Sequence, residues 1–158
     1  MKKYALARKW WILFITLNIV SFRAVADPLT VTQQERITAE VMTVLDDYLR
    51  AFNRLDVAAW ENTFHFPHYR LASGEMNVLQ GPSGRSAEQL RNYLGTEWHH
   101  SNWLRREIVH LSADKVHVNT RFARYREDNS EIAAYDSLYV VTKENGRWGI
   151  KLRSSMAP

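Results

Sequence analysis

From about Asn102 to the C-terminus the chain is written in a period of two. "WLRREIVHL", "KVHVNTRFARYR", "IAAYDSLYVVT" and "RWGIKLRS" are four strand-like runs, split by Ser112-Ala113-Asp114, Asp128-Asn129-Ser130 and Asn145-Gly146. Asn-Gly is a strong hairpin signal, because both central residues of the tightest turn need positive φ. Val116, Val118 and Phe122 alternate with His117, Asn119 and Arg121, and Trp148, Ile150 and Leu152 alternate with Gly149, Lys151 and Arg153. Such alternation predicts an antiparallel meander with one apolar face, and that face needs a cover.

The cover is upstream, where the period lengthens. "TQQERITAEVMTVLDDYLRAFNRLD" opens on Thr32-x-x-Glu35, a pattern in which side chain and backbone of a helix start cap each other. Ile37, Val41, Val44, Leu45, Tyr48 and Phe52 then share one helical face. Asp56 is placed to cap a short second helix, "VAAWENTF", with Trp60 and Phe64 on its buried side. Pro67 stops helix continuation and pushes Phe66 to extended backbone. "HYRLA" and "MNVLQ" around Ser73-Gly74-Glu75 predict a hairpin in which His68 starts the first strand. Ser86-x-x-Gln89 caps a third helix carrying Leu90, Tyr93 and Leu94, and Gly95 ends it. The expected class is α+β, with three N-terminal helices packed on one side of a curved, mostly antiparallel sheet.

Residues 1–26 are expected to stand outside that domain. Lys2, Lys3, Arg8 and Lys9 precede the 11-residue apolar run "WWILFITLNIV", and Ala24-Val25-Ala26 follows it. A basic start, a short apolar run and an A-x-A site describe a signal peptide; the run is short for a bilayer span, and Arg23, unusual in a cleavage region, leaves an uncleaved anchor as the alternative. The expectation is an exported protein, periplasmic or secreted, whose residues 27–158 form a single domain with no membrane segment after cleavage. The whole chain carries 21 basic and 17 acidic residues; removing the five cations of residues 1–26 leaves 16 against 17, a net charge of −1. That balance lacks the electrostatic footprint of a nucleic-acid binder. The sequence contains no cysteine, which excludes disulfides, a thiol nucleophile and thiolate-ligated zinc.

"VLDDYLRAFNRLDVAAWENTFHFPHYRLASG", the third helix and the closing "YDSLYVVTKENGRWGIKLRSS" resemble the nuclear transport factor 2-like, or SnoaL-like, superfamily over essentially the whole domain. Ala51-x-Asn53-x-x-Asp56 echoes the A-x-N-x-x-D with which its first helix ends. The resemblance implies a cone-shaped domain, often dimeric through its sheet, with a pocket between helices and sheet. It does not imply one chemistry, because the same fold hosts isomerases, dehydratases, hydrolases, cyclases and binders.

The catalytic precedents of the superfamily match only in fragments. Tyr48 falls where ketosteroid isomerases carry an oxyanion-donating tyrosine, but their two acids fall near Ala72-Ser73 and Leu138. Arg121-Phe122-Ala123 lacks the acid of the Arg-x-Asp pair of epoxide hydrolases. Dehydratases using histidine with tyrosine and a carboxylate find their ingredients in six histidines, Tyr69, Tyr135, Tyr139 and Asp136. His99 and His100 are adjacent and point apart in a strand, and no metal-ligand spacing occurs, so neither metal nor cofactor is expected. The leading expectation is a cofactor-free domain binding a small, partly apolar molecule, through Tyr48, Trp60, His65, His68, Trp98, His100, Arg121 and Tyr135. His68, His100 and Tyr48 are the candidates for acid–base catalysis, should the protein be a lyase or isomerase. Trp103 and Trp148 are further aromatic candidates, while Arg121 and Arg153 are expected to be solvated or ion-paired, with anion anchoring as the alternative. A protein–protein module of the cell envelope is the third reading, and a homodimer through the sheet is the expected assembly.

Overall fold

The computed structural model describes residues 28–157, so the expected leader lies outside the described residues. Three helices, α1 (Val31–Asn53), α2 (Val57–Glu61) and α3 (Ala87–Leu94), accompany six strands. The strands are β1 (Phe64–Ala72), β2 (Glu75–Leu79), β3 (His100–Leu111), β4 (Lys115–Tyr125), β5 (Glu131–Glu144) and β6 (Arg147–Ser155). They form one sheet of order β2-β1-β6-β5-β4-β3, antiparallel except where β1 runs parallel to β6. This is the α+β architecture that the two periods predict. No helix among the described residues is long and apolar enough to cross a membrane.

The hairpins follow the turn chemistry. Asn145 and Gly146 have φ of 52° and 81° between β5 and β6, and Ser73 and Gly74 have 55° and 75° between β1 and β2. α1 presents Ile37, Val41, Leu45 and Tyr48 to Val116, Val118, Tyr139, Val141, Trp148 and Ile150 of the sheet, and these residues make the core. Single-residue register shifts in β3, β5 and β6 act as bulges, which bend strands and let the sheet wrap around α1. The A-x-N-x-x-D ending of α1 has a mechanical meaning. Asn53 donates from Nδ2 to the Ser101 carbonyl and accepts at Oδ1 from the Ser101 N–H, both at 2.9 Å. Asp56 accepts the Ala59 N–H at 3.0 Å and starts α2. One turn of sequence thereby fixes the helix to β3 and redirects the chain.

Three expectations need correction. The box that caps α1 is Thr30 with Gln33 rather than Thr32 with Glu35, which starts the helix earlier and lets Leu29 pack on the core. Phe64 belongs to β1 rather than to the second helix, because the Thr63 carbonyl is already captured by the Ile150 N–H at 2.8 Å. His68 is therefore inside β1 and does not start it. Residues 65–68 fall in a register shift between the pairs Phe64–Ile150 and Tyr69–Leu152.

Both imidazoles of that irregular stretch bond to β6. His65 donates from Nε2 to the Arg147 carbonyl at 3.0 Å and accepts at Nδ1 from the Arg147 guanidinium, also at 3.0 Å. Its ring lies flat on Gly149, where an added Cβ would sit 2.9 Å from Cδ2 and Nε2. Gly149→Ala is therefore expected to cost about 1–3 kcal/mol through overpacking, read as a lower urea midpoint at unchanged m-value.

Candidate functional site

A cavity of about 310 Å³ opens between α1, α2, α3 and the inner face of the sheet. Its walls are mostly rings: Phe52, Trp60, Phe64, Trp103, Phe122 and Tyr139 line it, with Leu79 and Leu90 closing the sides. The packing is continuous, with Trp60 5.2 Å from Phe64, Tyr48 5.6 Å from Tyr139, and Trp103 5.7 Å from Tyr139 between centroids. An apolar body placed there would be surrounded by aromatic faces and edges.

Polar groups reach the cavity from α1, α2, β1, β5 and β6. Tyr48 stands on the buried face of α1, and its hydroxyl accepts a hydrogen bond from the Arg153 guanidinium. Tyr139 of β5 is the cross-strand partner of Arg153 and is 1% exposed. Burial lifts its phenol well above the ordinary range, so it stays a neutral hydroxyl. For Arg153 burial works against the charge, the two phenol oxygens more than offset it, and its pKa is raised. The group is a permanent cation on the wall of an aromatic-lined cavity.

His68 enters from β1. Its ring stacks on Phe64 with centroids 4.0 Å apart and planes 9° apart, and Nδ1 lies 2.9 Å from the Ile150 carbonyl oxygen. A carbonyl only accepts, so Nδ1 carries the proton and Nε2 keeps its lone pair. Burial pushes the pKa of His68 down to about 4; the Ile150 bond opposes that shift, and Arg153 and Arg70 add to it. The imidazole is neutral at pH 7. Glu61 of α2, 4% exposed, also lines the cavity, but its two oxygens are occupied by the Ser83 N–H at 3.0 Å and the Ser83 hydroxyl.

The cavity gathers Tyr48, Trp60 and His68 of the expected residues and Trp103 of the further aromatic candidates, while Trp148 is in the core with its Nε1 donating to Glu40 at 2.7 Å. The others stand elsewhere. His65 is bound to Arg147 and Gly149, as described above. Trp98 is in a second core cluster with Leu90 and Leu94, where its Nε1 donates to the Ser101 hydroxyl at 3.0 Å. His100 pairs with Tyr125 across β3 and β4 and stacks on it at 5.1 Å, and the strand alternation that turns Ser101 and Trp103 inward turns His100 outward. Arg121 forms a 2.6 Å ion pair with Asp136 on the outer face, as its solvated reading anticipated. Tyr135 is beside Phe122 at 5.6 Å and under the Arg124 guanidinium at 5.3 Å, next to the cavity but not part of its lining.

Arg153 is the largest reversal. Strict alternation puts it opposite Trp148 and Ile150, facing solvent. In the β5–β6 ladder Val141 pairs with Ile150 and Val140 with Leu152, which leaves Lys151 as an extra residue and flips the parity beyond it. Arg153 consequently faces inward with Tyr139. Nothing in the residue pattern of "WGIKLRS" marks the bulge. Arg124, by contrast, shares the period of Val116, Val118 and Phe122, and that period is the signal for its inward position.

Residues 39–155 match the family described as "NTF2-like protein (DUF6841)". The chain belongs to that family. Solved structures of the same fold include an NTF2-like protein of unknown function from Shewanella oneidensis, 21% identical, with a TM-score of 0.61 over 76% of this chain and 98% of that one. A hexachlorocyclohexane dehydrochlorinase from Novosphingobium barchaimii is 16% identical, with a TM-score of 0.59 over 80% and 89%. The association domain of C. elegans CaMKII is 14% identical, with a TM-score of 0.59 over 78% and 98%. No curated protein matches the chain. At these identities the likeness concerns the fold alone, and an enzyme and an assembly domain both use it.

Proposed function

We propose that this protein is an exported domain that binds a small, partly apolar molecule in the cavity between its helices and sheet. The observation that carries the reading is the cavity of about 310 Å³ itself, walled by aromatic rings around a few convergent polar groups. Small-molecule sites have this composition, an apolar lining with a small number of placed polar groups. Export rests on the basic start, the short apolar run and Ala24-Val25-Ala26 of the sequence.

A second reading, a lyase or isomerase, is favoured by one feature. His68 is neutral at pH 7, with its proton fixed at Nδ1 by Ile150 and a lone pair on Nε2, the arrangement of a general base. The dehydrochlorinase named above shows that the fold accommodates an elimination enzyme. His100 is on the outer face and does not line this cavity.

Thermal unfolding with a chemically diverse ligand panel tests the binding reading. A ligand present at 100 times its Kd stabilises by about 2.7 kcal/mol, roughly 10 °C in Tm for a domain of this size. At least one chemical class is expected to raise Tm, and Trp60→Ala is expected to remove the shift while Arg121→Ala leaves it. A panel that moves Tm nowhere refutes the reading. The catalytic reading is then decided by whether His68→Gln abolishes turnover of a compound that binds.

A further inference from the structure

Among the described residues, four buried side-chain nitrogens have no hydrogen-bond partner in the protein: Nε1 of Trp60, Nε1 of Trp103, Nε of Arg124 and Nε of Arg153. All four residues line the one cavity. All four atoms are N–H donors, and none of them is able to accept. Buried polar groups are almost always paired, so a set of orphans of one kind in one place asks for a partner of the opposite kind.

The charges point the same way. Arg153 donates to the Tyr48 hydroxyl and faces Tyr139, and Arg124 lies over the Tyr135 ring. No acidic side chain forms an ion pair with either guanidinium among the described residues. The lining carboxylate, Glu61, is held by Ser83. Arg153 is held by phenol oxygens rather than by a carboxylate, so a bound anion adds the full counter-charge that these guanidiniums lack in the protein.

We propose that the cavity takes a carboxylic acid with a compact aromatic or alicyclic body, its carboxylate seated against the Arg153 guanidinium and its body among Trp60, Phe64, Trp103 and Phe122. The proposal rests on the reading of the cavity as a small-molecule site and adds the charge of the ligand to it. A planar guanidinium matches a carboxylate in geometry, and charge-assisted hydrogen bonds are about twice as strong as neutral ones. The indole N–H groups of Trp60 and Trp103 are further donors for acceptor oxygens on the same molecule. His68 supplies no charge at neutral pH and one acceptor, which suits a hydroxyl on the ligand.

Two probes with one ring system separate charge from shape. Calorimetric titration at pH 7 with 2-naphthoate and 2-naphthamide is expected to give at least tenfold tighter binding of the acid. In Arg153→Met that ratio is expected to fall to within twofold, with the amide still bound, and Arg153→Lys is expected to keep part of the preference. The wild-type comparison decides the matter even if the methionine variant fails to fold. Equal affinities, or a tighter amide, overturn the carboxylate proposal and leave the small-molecule reading standing. Failure of both probes to bind at millimolar concentration overturns the carboxylate proposal as stated, and the small-molecule reading then stands or falls with the thermal-shift panel.

Discussion

Acidification from pH 6.5 to pH 4 is expected to destabilise the protein by about 3 kcal/mol through His68 alone. Its pKa falls from an ordinary 6.5 to about 4 in the folded state, chiefly because the ring is buried. The Ile150 carbonyl and Glu61 pull the other way, and Arg153 and Arg70 reinforce the depression. Between those two values the unfolded chain takes up a proton that the folded chain refuses. Stability from this group is complete above about 6.5 and is lost as pH falls through about 4. At about 1.4 kcal/mol per pKa unit, the full interval gives the stated figure. Urea unfolding at pH 7, 6, 5 and 4.5 measures it, with His68→Gln as the reference that removes the titration and leaves the carboxylates in place. The gap between wild type and variant should narrow steadily toward low pH. A gap that stays constant means that His68 is not held neutral by its surroundings.

The same residue shows which parts of the molecule the residue pattern reveals. Helix α1, the hairpins at Ser73-Gly74 and Asn145-Gly146, and the meander from β3 to β6 follow from period and turn chemistry, which act within a few neighbouring residues. Tyr48 and Trp60 were legible as cavity residues for that reason, since each lies on the inward side of a helix joined to its neighbour by the Asn53–Asp56 turn. His65 and His68 look alike in the sequence, yet one lies on Gly149 and the other lines the cavity. Their separation is set by the irregular pairing of β1 with β6, two segments about eighty residues apart. Arg153 was misplaced for a related reason. A single bulged residue reverses a strand's faces without altering its composition, so parity counted along "WGIKLRS" fails just past Lys151. His100 and Arg121 stand outside the cavity although their strands were legible, because a resemblance points to the rim of a pocket and strand parity decides which residues enter it.

Phe64→Ala is expected to be the most damaging single truncation near the site, at about 3–5 kcal/mol. The ring is 2% exposed and stands between the core and the cavity. It is stacked on His68 at 4.0 Å and flanked by Trp60 at 5.2 Å and Tyr48 at 6.1 Å, so its loss leaves three rings without their common neighbour. Its effect also reaches His68. Removing the phenyl face lets water toward the imidazole, weakens the burial that holds it neutral, and moves its pKa back toward 6.5. The variant should therefore be less stable at pH 7 and show a shallower loss between pH 6.5 and 4 than wild type, while Phe64→Leu recovers at least half of the stability. Unfolding curves of Phe64→Ala, His68→Gln and the double variant across that pH range measure the coupling between the two rings. Strict additivity at every pH would show that Phe64 packs against His68 without shielding it, and the depressed pKa would then have to come from the sheet side, through β6 and Arg153.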